Sequence, residues 1–348
     1  MRISHLLFIP PQLYLLFAVL IFGAANPVTR KLTEIGAKHL IDGRNPVSLC
    51  NVLFVGNLCA LLVLLVIYRQ QLKPSKLGRF TSKQWLNLTV VAILSGAIAP
   101  GLIFQALGLT MVNNVVLVGR LEPPLTLLLS IWLLRERVNF WEIFGALVSF
   151  IGVILTISLP ETLQSMTNIK NYFSVGTGEI LTAIAAVALA TSTIIAKAKF
   201  SQIPLGIYST FRTALGTVIF FFLALLLYGK HHFTDAFSPF LWKWMLIYGP
   251  LIVVVGQSFW IAGLRASSVS QASLASSFTP IAGIVAAYLI LDEVPTFAQY
   301  VGGSVILIGI FLSQIGIWRK QSLKQAKSSR NYTQNIQQIE NGTGFKGI

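Results

Sequence analysis

Arg120 and Glu122 sit near the middle of GRLEPPLTLLLSIWLL, residues 119–134, a run otherwise apolar enough for the interior of a membrane. On insertion scales each central charge costs about 2.5–3.5 kcal/mol, while each surrounding Leu or Ile returns only about 0.3–0.6 kcal/mol. The run inserts marginally by itself. Residues two apart on a helix point about 200° from each other, so the two charges do not readily neutralise one another, and neither tolerates lipid. A helix that carries them must be enclosed by protein or by a wet cavity on both faces. Charges so placed either pair to fix helix packing or bind a solute or a proton on a pathway. Both roles stay open from these residues alone.

A third deep charge is Arg212, eight residues after Pro204. Counting about 1.5 Å per residue from the expected helix ends puts Glu122 and Arg212 within about 5 Å of each other in height, in a core about 30 Å thick. They are predicted to face each other near the midplane, with Arg120 lining the cavity or closing its outer end. Gln105, Gln257, Trp260, Tyr208 and Asn26 are weaker candidates for the cavity wall. The stretch SVSQASLASSFTPIAG, residues 268–283, is dominated by small side chains that let helices approach closely, and it brings the hydroxyls of Ser277 and Thr279.

The elements that position these residues follow from composition and hydropathy. The chain of 348 residues is 55% hydrophobic and 11% charged, far below the quarter or so expected of a soluble domain, and carries many apolar runs of about 20 residues. Ten helices are predicted, at 12–30, 46–68, 85–108, 113–134, 140–159, 178–198, 204–229, 240–264, 270–291 and 296–317. The first run resembles a leader with Gly23-Ala24-Ala25 as its small-residue site, but the internal repeat described below needs it as a helix. An even count puts both ends on one side. With those ends inside, seventeen basic residues fall in inner segments and seven in outer loops, so the ends are expected in the cytoplasm, with the plasma membrane as the site. The net charge of +15 thus reports topology, and no nucleic-acid motif accompanies it. The tail from 318 is polar and without apolar periodicity, and is expected to be disordered.

Catalytic and cofactor chemistry find little support. All four histidines lie outside the predicted helices, Cys50 and Cys59 are nine apart within one apolar run, and no Gly-rich phosphate loop is present. No metal, no cofactor and no ATP-driven step are expected, and the chain is not expected to be an enzyme. A channel lacks its filter loop or ring of like charges.

An internal repeat is the most specific signal. Shifted by 157 residues, Pro123 falls on Pro280, Glu136 on Glu293, Gly145 on Gly302 and Gly152 on Gly309, while Asn139-x-x-Glu142 falls on Thr296-x-x-Gln299. A short polar residue followed three later by Glu or Gln is the capping-box pattern, so Asn139 and Thr296 are expected to cap helices five and ten. Glu136 and Glu293 are expected in caps or loop contacts. Five helices per half is odd, so the second half must be upside down relative to the first, the plan of carriers whose site lies at the midplane between repeats. The fold expected is all-α: a polytopic membrane protein of ten transmembrane helices built from two inverted five-helix repeats. Its parts are an N-terminal segment 1–11, repeats at 12–159 and 178–317, an external connection at 160–177, and a basic tail at 318–348.

A proline in the fourth helix, a Glu thirteen residues on and a Gly-rich fifth helix, all occurring twice, resemble the EamA-type branch of the drug/metabolite transporter superfamily over residues 12–317. The resemblance implies a ten-helix carrier that moves small metabolites, often outward, through a cavity to which the fourth and ninth helices contribute. Arg212 matches an arginine that the family often places there, whereas Arg120 and Glu122 stand where its pattern is usually apolar. The function expected is a secondary transporter working by alternating access on a small, amino-acid-like or amphiphilic solute, with a phosphosugar or nucleotide-sugar antiporter as the alternative and a membrane-embedded enzyme as a third reading. Proton coupling through Glu122 stays open, as does the oligomeric state.

Overall fold

The computed structural model describes residues 11–40, 43–78, 80–136, 138–159, 176–200, 203–228, 237–266, 271 and 275–342. The N-terminal segment before residue 11, the connection through 160–175, most of the start of the ninth helix at 267–274 and the end of the tail lie outside them. Among the described residues the chain is helical: α1 (Pro11–Ala37), α2 (Leu49–Ile67), α3 (Ser82–Leu109), α4 (Val112–Leu134), α5 (Phe140–Ser158), α6 (Thr177–Lys199), α7 (Leu205–Tyr228), α8 (residues 239–266), α9 (Ala275–Leu291) and α10 (Phe297–Gly342). Among the described residues, eight helices are long and apolar enough to cross a membrane, and Asn51–Ile67 and Ala275–Leu291 are apolar but shorter. Helices satisfy their own backbone groups, which is what lets them stand in lipid. The outside of the bundle is apolar, with Leu128, Trp132 and Leu133 of α4 and Phe222 and Leu226 of α7 exposed. Water would not tolerate such a perimeter and acyl chains would. This is a polytopic, all-helical membrane protein.

The main packings are α5 on α10, α2 on α7, α1 on α9, α4 on α6, α3 on α6, α1 on α8, α3 on α7 and α2 on α8. Exchanging α1–α5 with α6–α10 turns this set into itself. The α5–α10 seam shows why the sequence permits it. A Cβ on Gly145 would overlap the Gly309 carbonyl and Ser313, and a Cβ on Gly302 would overlap Thr156 and crowd the Gly152 carbonyl. Near the start of α5 the neighbour is Gly316, late in α10, so the two helices run antiparallel. Small residues bring the backbones together, and dispersion across a dry seam replaces the hydrophobic drive that lipid does not supply.

The same correspondence recurs locally. α4 and α9 both end on left-handed residues, Arg135 at φ 51° and Asp292 at φ 56°. The next amide then turns back to the helix, from Glu136 to the Ser130 carbonyl and from Glu293 to the Ala287 carbonyl. α3 and α8 both contain a π-helical segment, Leu94–Ile98 and Pro250–Gly256, beside the Pro100-Gly101 and Gly249-Pro250 pairs, whose prolines remove a backbone bond within the helix.

Two expectations differ. Thr296 and Gln299 form the capping box, with the Thr296 amide donating to Gln299 Oε1 at 3.0 Å and the Gln299 amide to Thr296 Oγ1 at 3.3 Å. Asn139 occupies the cap position of α5 without a side-chain capping bond. The side chain of its partner Glu142 is instead drawn into the α5–α10 seam beside Gly316. The tail also departs from expected disorder, since α10 continues to Gly342. No Gly or Pro interrupts residues 317–341, and Lys, Gln, Arg and Glu favour helix there.

Candidate functional site

Helices α4 and α9 are interrupted at corresponding positions. In α4 the α-helix Val112–Val118 passes through a 3₁₀ turn, Gly119–Leu121, before resuming at Glu122. The cause lies in Pro123-Pro124: neither ring nitrogen can donate to the carbonyls four residues back, those of Gly119 and Arg120. In α9 a turn at Phe278, which a shift of 157 relates to Leu121, precedes Thr279–Leu291, and Pro280 cannot donate to the Ser276 carbonyl. Irregular backbone at membrane depth is tolerated where it is buried in protein or lines a cavity, and broken helices mark solute sites in carriers.

Two cavities adjoin these breaks. The first, about 210 Å³, is lined by Phe22, Gly23 and Asn26 of α1, Ile103 of α3, residues from Val115 to Pro123 of α4, Thr182, Ala186 and Leu189 of α6, and Thr279 and Gly283 of α9. Arg120 and Glu122 both face it. The second, about 250 Å³, lies toward the end of α4 and is lined by Arg120, Pro123, Pro124 and Leu127, by Glu142, Ala146 and Ser149 of α5, by Ser276 and Ser277 of α9, and by Ile310, Ser313, Gln314 and Ile317 of α10. Arg120 and Pro123 belong to both. Glu122 lies beside the Thr193 hydroxyl of α6. Among the described residues, no ion pair holds Arg120 or Glu122.

The end of the bundle where α4 begins is fastened by polar contacts between the halves. Glu293 accepts from the amides of Val112 and Asn113 at 3.0 and 2.7 Å, satisfying donors that have no partner within the helix at the start of α4. Glu179 of α6 accepts from the Thr110 hydroxyl and, at 2.8 Å, from the Asn114 amide. The Asn114 side-chain oxygen Oδ1 accepts from Gln299 Nε2 at 2.7 Å. Arg30 of α1 donates to the Leu107 carbonyl at the same end. At the opposite end Lys197 meets Glu136 at 2.7 Å, both part-exposed.

The sequence candidates fall into two groups. Arg120, Glu122, Pro123, Asn26, Ser277 and Thr279 line one or both central cavities. Gln105, Gln257, Trp260, Tyr208 and Arg212 line neither. Gln105 is exposed, and Tyr208 packs on Phe200 with ring centroids 5.7 Å apart. The expected Glu122–Arg212 pair is not formed. Arg212, on α7, packs against α3, where a Cβ on Gly96 would come within 3.0 Å of its Cγ, while α4 packs against α6. Pro280 is buried in α9, and Gly145 and Gly302 belong to the α5–α10 seam. Sequence reading missed Glu142 as a cavity residue and Glu179, Thr110 and Asn114 as a fastening. The tandem prolines at 123–124 were the readable signal for the break in α4. Nothing local marked the fastening, because its members come from three separate segments.

The sequence matches the EamA-like transporter family over residues 9–158 and again over 176–315. It is 48% identical to an uncharacterized transporter of Synechocystis sp. over 97% of this chain and 95% of the relative. The uncharacterized transporter YyaM of Bacillus subtilis is 22% identical over 81% of this chain and 88% of its own. A solved protein crystal structure superposes with a TM-score of 0.56 at 17% identity, over 87% of this chain and 97% of that one, a likeness of fold alone.

Proposed function

The chain belongs to the EamA-like transporter family, and on that premise we propose that it is a secondary carrier moving a small solute that bears both a negative and a positive group. The observation that carries this reading is Arg120, which lines both cavities at the break in α4. A guanidinium presents several donors in a rigid fork suited to a carboxylate, and Glu122 offers a carboxyl in the first cavity. An amino-acid-like zwitterion or a polar amphiphile meets both. The solute passes from one cavity to the other by alternating access, as two inverted five-helix repeats rock about the site. The packing set that survives exchange of the halves, the antiparallel α5–α10 seam and the two family matches all support that plan. Counting the two shorter helices with the eight longer ones makes ten spans. The excess of basic residues on the side of the ends favours cytoplasmic termini, and outward movement across the plasma membrane is carried over from the family's usual role. On this reading the contacts where α4 begins hold the carrier shut toward the outside.

The phosphosugar antiporter reading asks for several basic side chains at the site, and among the described residues Arg120 alone of the Lys and Arg lines the two cavities. The test is to overproduce the protein, score resistance and extracellular metabolites against amino acids, amines, sugars and dyes, and confirm hits by counterflow in proteoliposomes. Counterflow of zwitterions or amines supports the proposal. Counterflow of phosphorylated sugars alone overturns it. The same vesicles, with and without a proton gradient and with Glu122→Gln, test proton coupling.

A further inference from the structure

The second cavity contains a carboxylate that the reading above leaves unused. Glu142 stands in the first turn of α5 with 8% of its surface exposed, and it lines the cavity on the inner side of Arg120. It does not cap its own helix, and its Oε1 is buried with no hydrogen-bond partner among the described residues. A Cβ at position 316 would lie 2.9 Å from Glu142 Cγ, so glycine there leaves room for the carboxylate stem in the seam. A buried carboxylate oxygen without a donor is costly and calls for a charged donor to complete it. Serine hydroxyls from Ser149 and Ser277 share the cavity wall, and Arg120 is the cation on it. Arg319, on the neighbouring turn of α10, is engaged elsewhere, over the Trp141 ring with its Cζ 5.1 Å from the centroid.

We propose that Glu142 is the ammonium-binding residue of an inner subsite, and that a zwitterionic solute crosses by keeping its anionic group on Arg120 while its ammonium passes from Glu122 to Glu142. The inference rests on the carrier reading and adds the inner partner. Arg120 serves both subsites because it alone of the three charges lines both cavities. Each half of the crossing then compensates both solute charges, so neither charge is bared in the low-dielectric core during exchange.

Two matched series test this on the full-length protein in nanodiscs: leucine, isoamylamine and 4-methylpentanoate, and phenylalanine, phenethylamine and 3-phenylpropionate. Each series keeps its hydrocarbon and offers a zwitterion, a cation and an anion. Glu142→Gln should weaken the amine and the zwitterion by about 10- to 100-fold, the loss of a charge-assisted hydrogen bond, and leave the anion unchanged. Arg120→Gln should weaken the anion and the zwitterion and leave the amine unchanged, and Glu142→Asp should recover part of the amine affinity. Retained anion binding shows that the Gln variant is folded. Amine binding by Glu142→Gln within about twofold of the parent overturns the inference, as does a parent protein that binds no amine or zwitterion of either series. Intact amine binding in nanodiscs, together with proteoliposome transport that no longer responds to a pH gradient, also overturns it, since Glu142 would then carry a proton. Counterflow in proteoliposomes separates the two readings: if it persists unaltered in Glu142→Gln, only the inner subsite falls, whereas absence of counterflow for every solute tried removes the carrier reading itself.

Discussion

Gly152 and Gly302 lie backbone against backbone across the α5–α10 seam: a Cβ on Gly152 would come within 2.8 Å of the Gly302 carbonyl oxygen, and one on Gly302 within 2.6 Å of the Gly152 carbonyl oxygen. Both distances are shorter than any real Cβ contact, so a side chain at either position must push the helices apart. Gly152→Ala is expected to cost about 1–3 kcal/mol and Gly152→Leu to block assembly. Thermal unfolding of the purified variants in detergent checks the order, and a Leu variant as stable as the parent would contradict the close seam.

Pro123 withholds the amide that would close the helix onto Gly119. Replacing both prolines, Pro123→Ala with Pro124→Ala, should let α4 run straight through its 3₁₀ turn, with a gain in stability of up to about 3 kcal/mol. Transport should fall in the same variant, because the broken backbone beside Arg120 is lost. A stability gain with undiminished flux would separate the break from the function.

Arg120 should be irreplaceable by lysine for a carboxylate solute. A point-charge ammonium preserves the sign but not the fork, so Arg120→Lys is expected to lose about 10- to 100-fold in affinity, while its unfolding temperature stays close to the parent's. Binding and unfolding measured on one preparation distinguish this from misfolding.

Glu122 and Arg212 should behave independently. A double-mutant cycle on stability with Glu122→Gln and Arg212→Gln is expected to give a coupling below about 0.5 kcal/mol, the additivity found for residues without shared partners. A coupling of 1 kcal/mol or more would restore the pair expected from depth alone.

The fastening at the start of α4 should control access from the outside. Gln299→Leu removes the 2.7 Å bond to Asn114, and Glu293→Gln removes the charge that accepts from Val112 and Asn113. Both should increase labelling by a membrane-impermeant thiol reagent of a cysteine placed at Asn26, which lines the first cavity. Unchanged labelling would show that closure on that side depends on other contacts.

Hydropathy, the 157-residue correspondence and the misfit of Arg120 and Glu122 in an apolar run were enough to establish the helices, the kinship of the two halves and the enclosure of α4 around its charges, whereas its last turns, with Leu128, Trp132 and Leu133, face outward. Those properties are local or periodic, since insertion cost, capping and proline effects act within a turn or two of one helix. Depth could be counted along the chain too, and it put Glu122 and Arg212 at one height. Height says nothing about lateral position. Arg212 went to α3 because Gly96 opens a groove there, Glu142 left its cap because the seam beside Gly316 takes its stem, and Glu179 found Asn114 because α6 packs on α4. Those outcomes depend on which small-residue faces meet around the bundle, a choice made by surfaces from distant segments, and only the tertiary structure decides it.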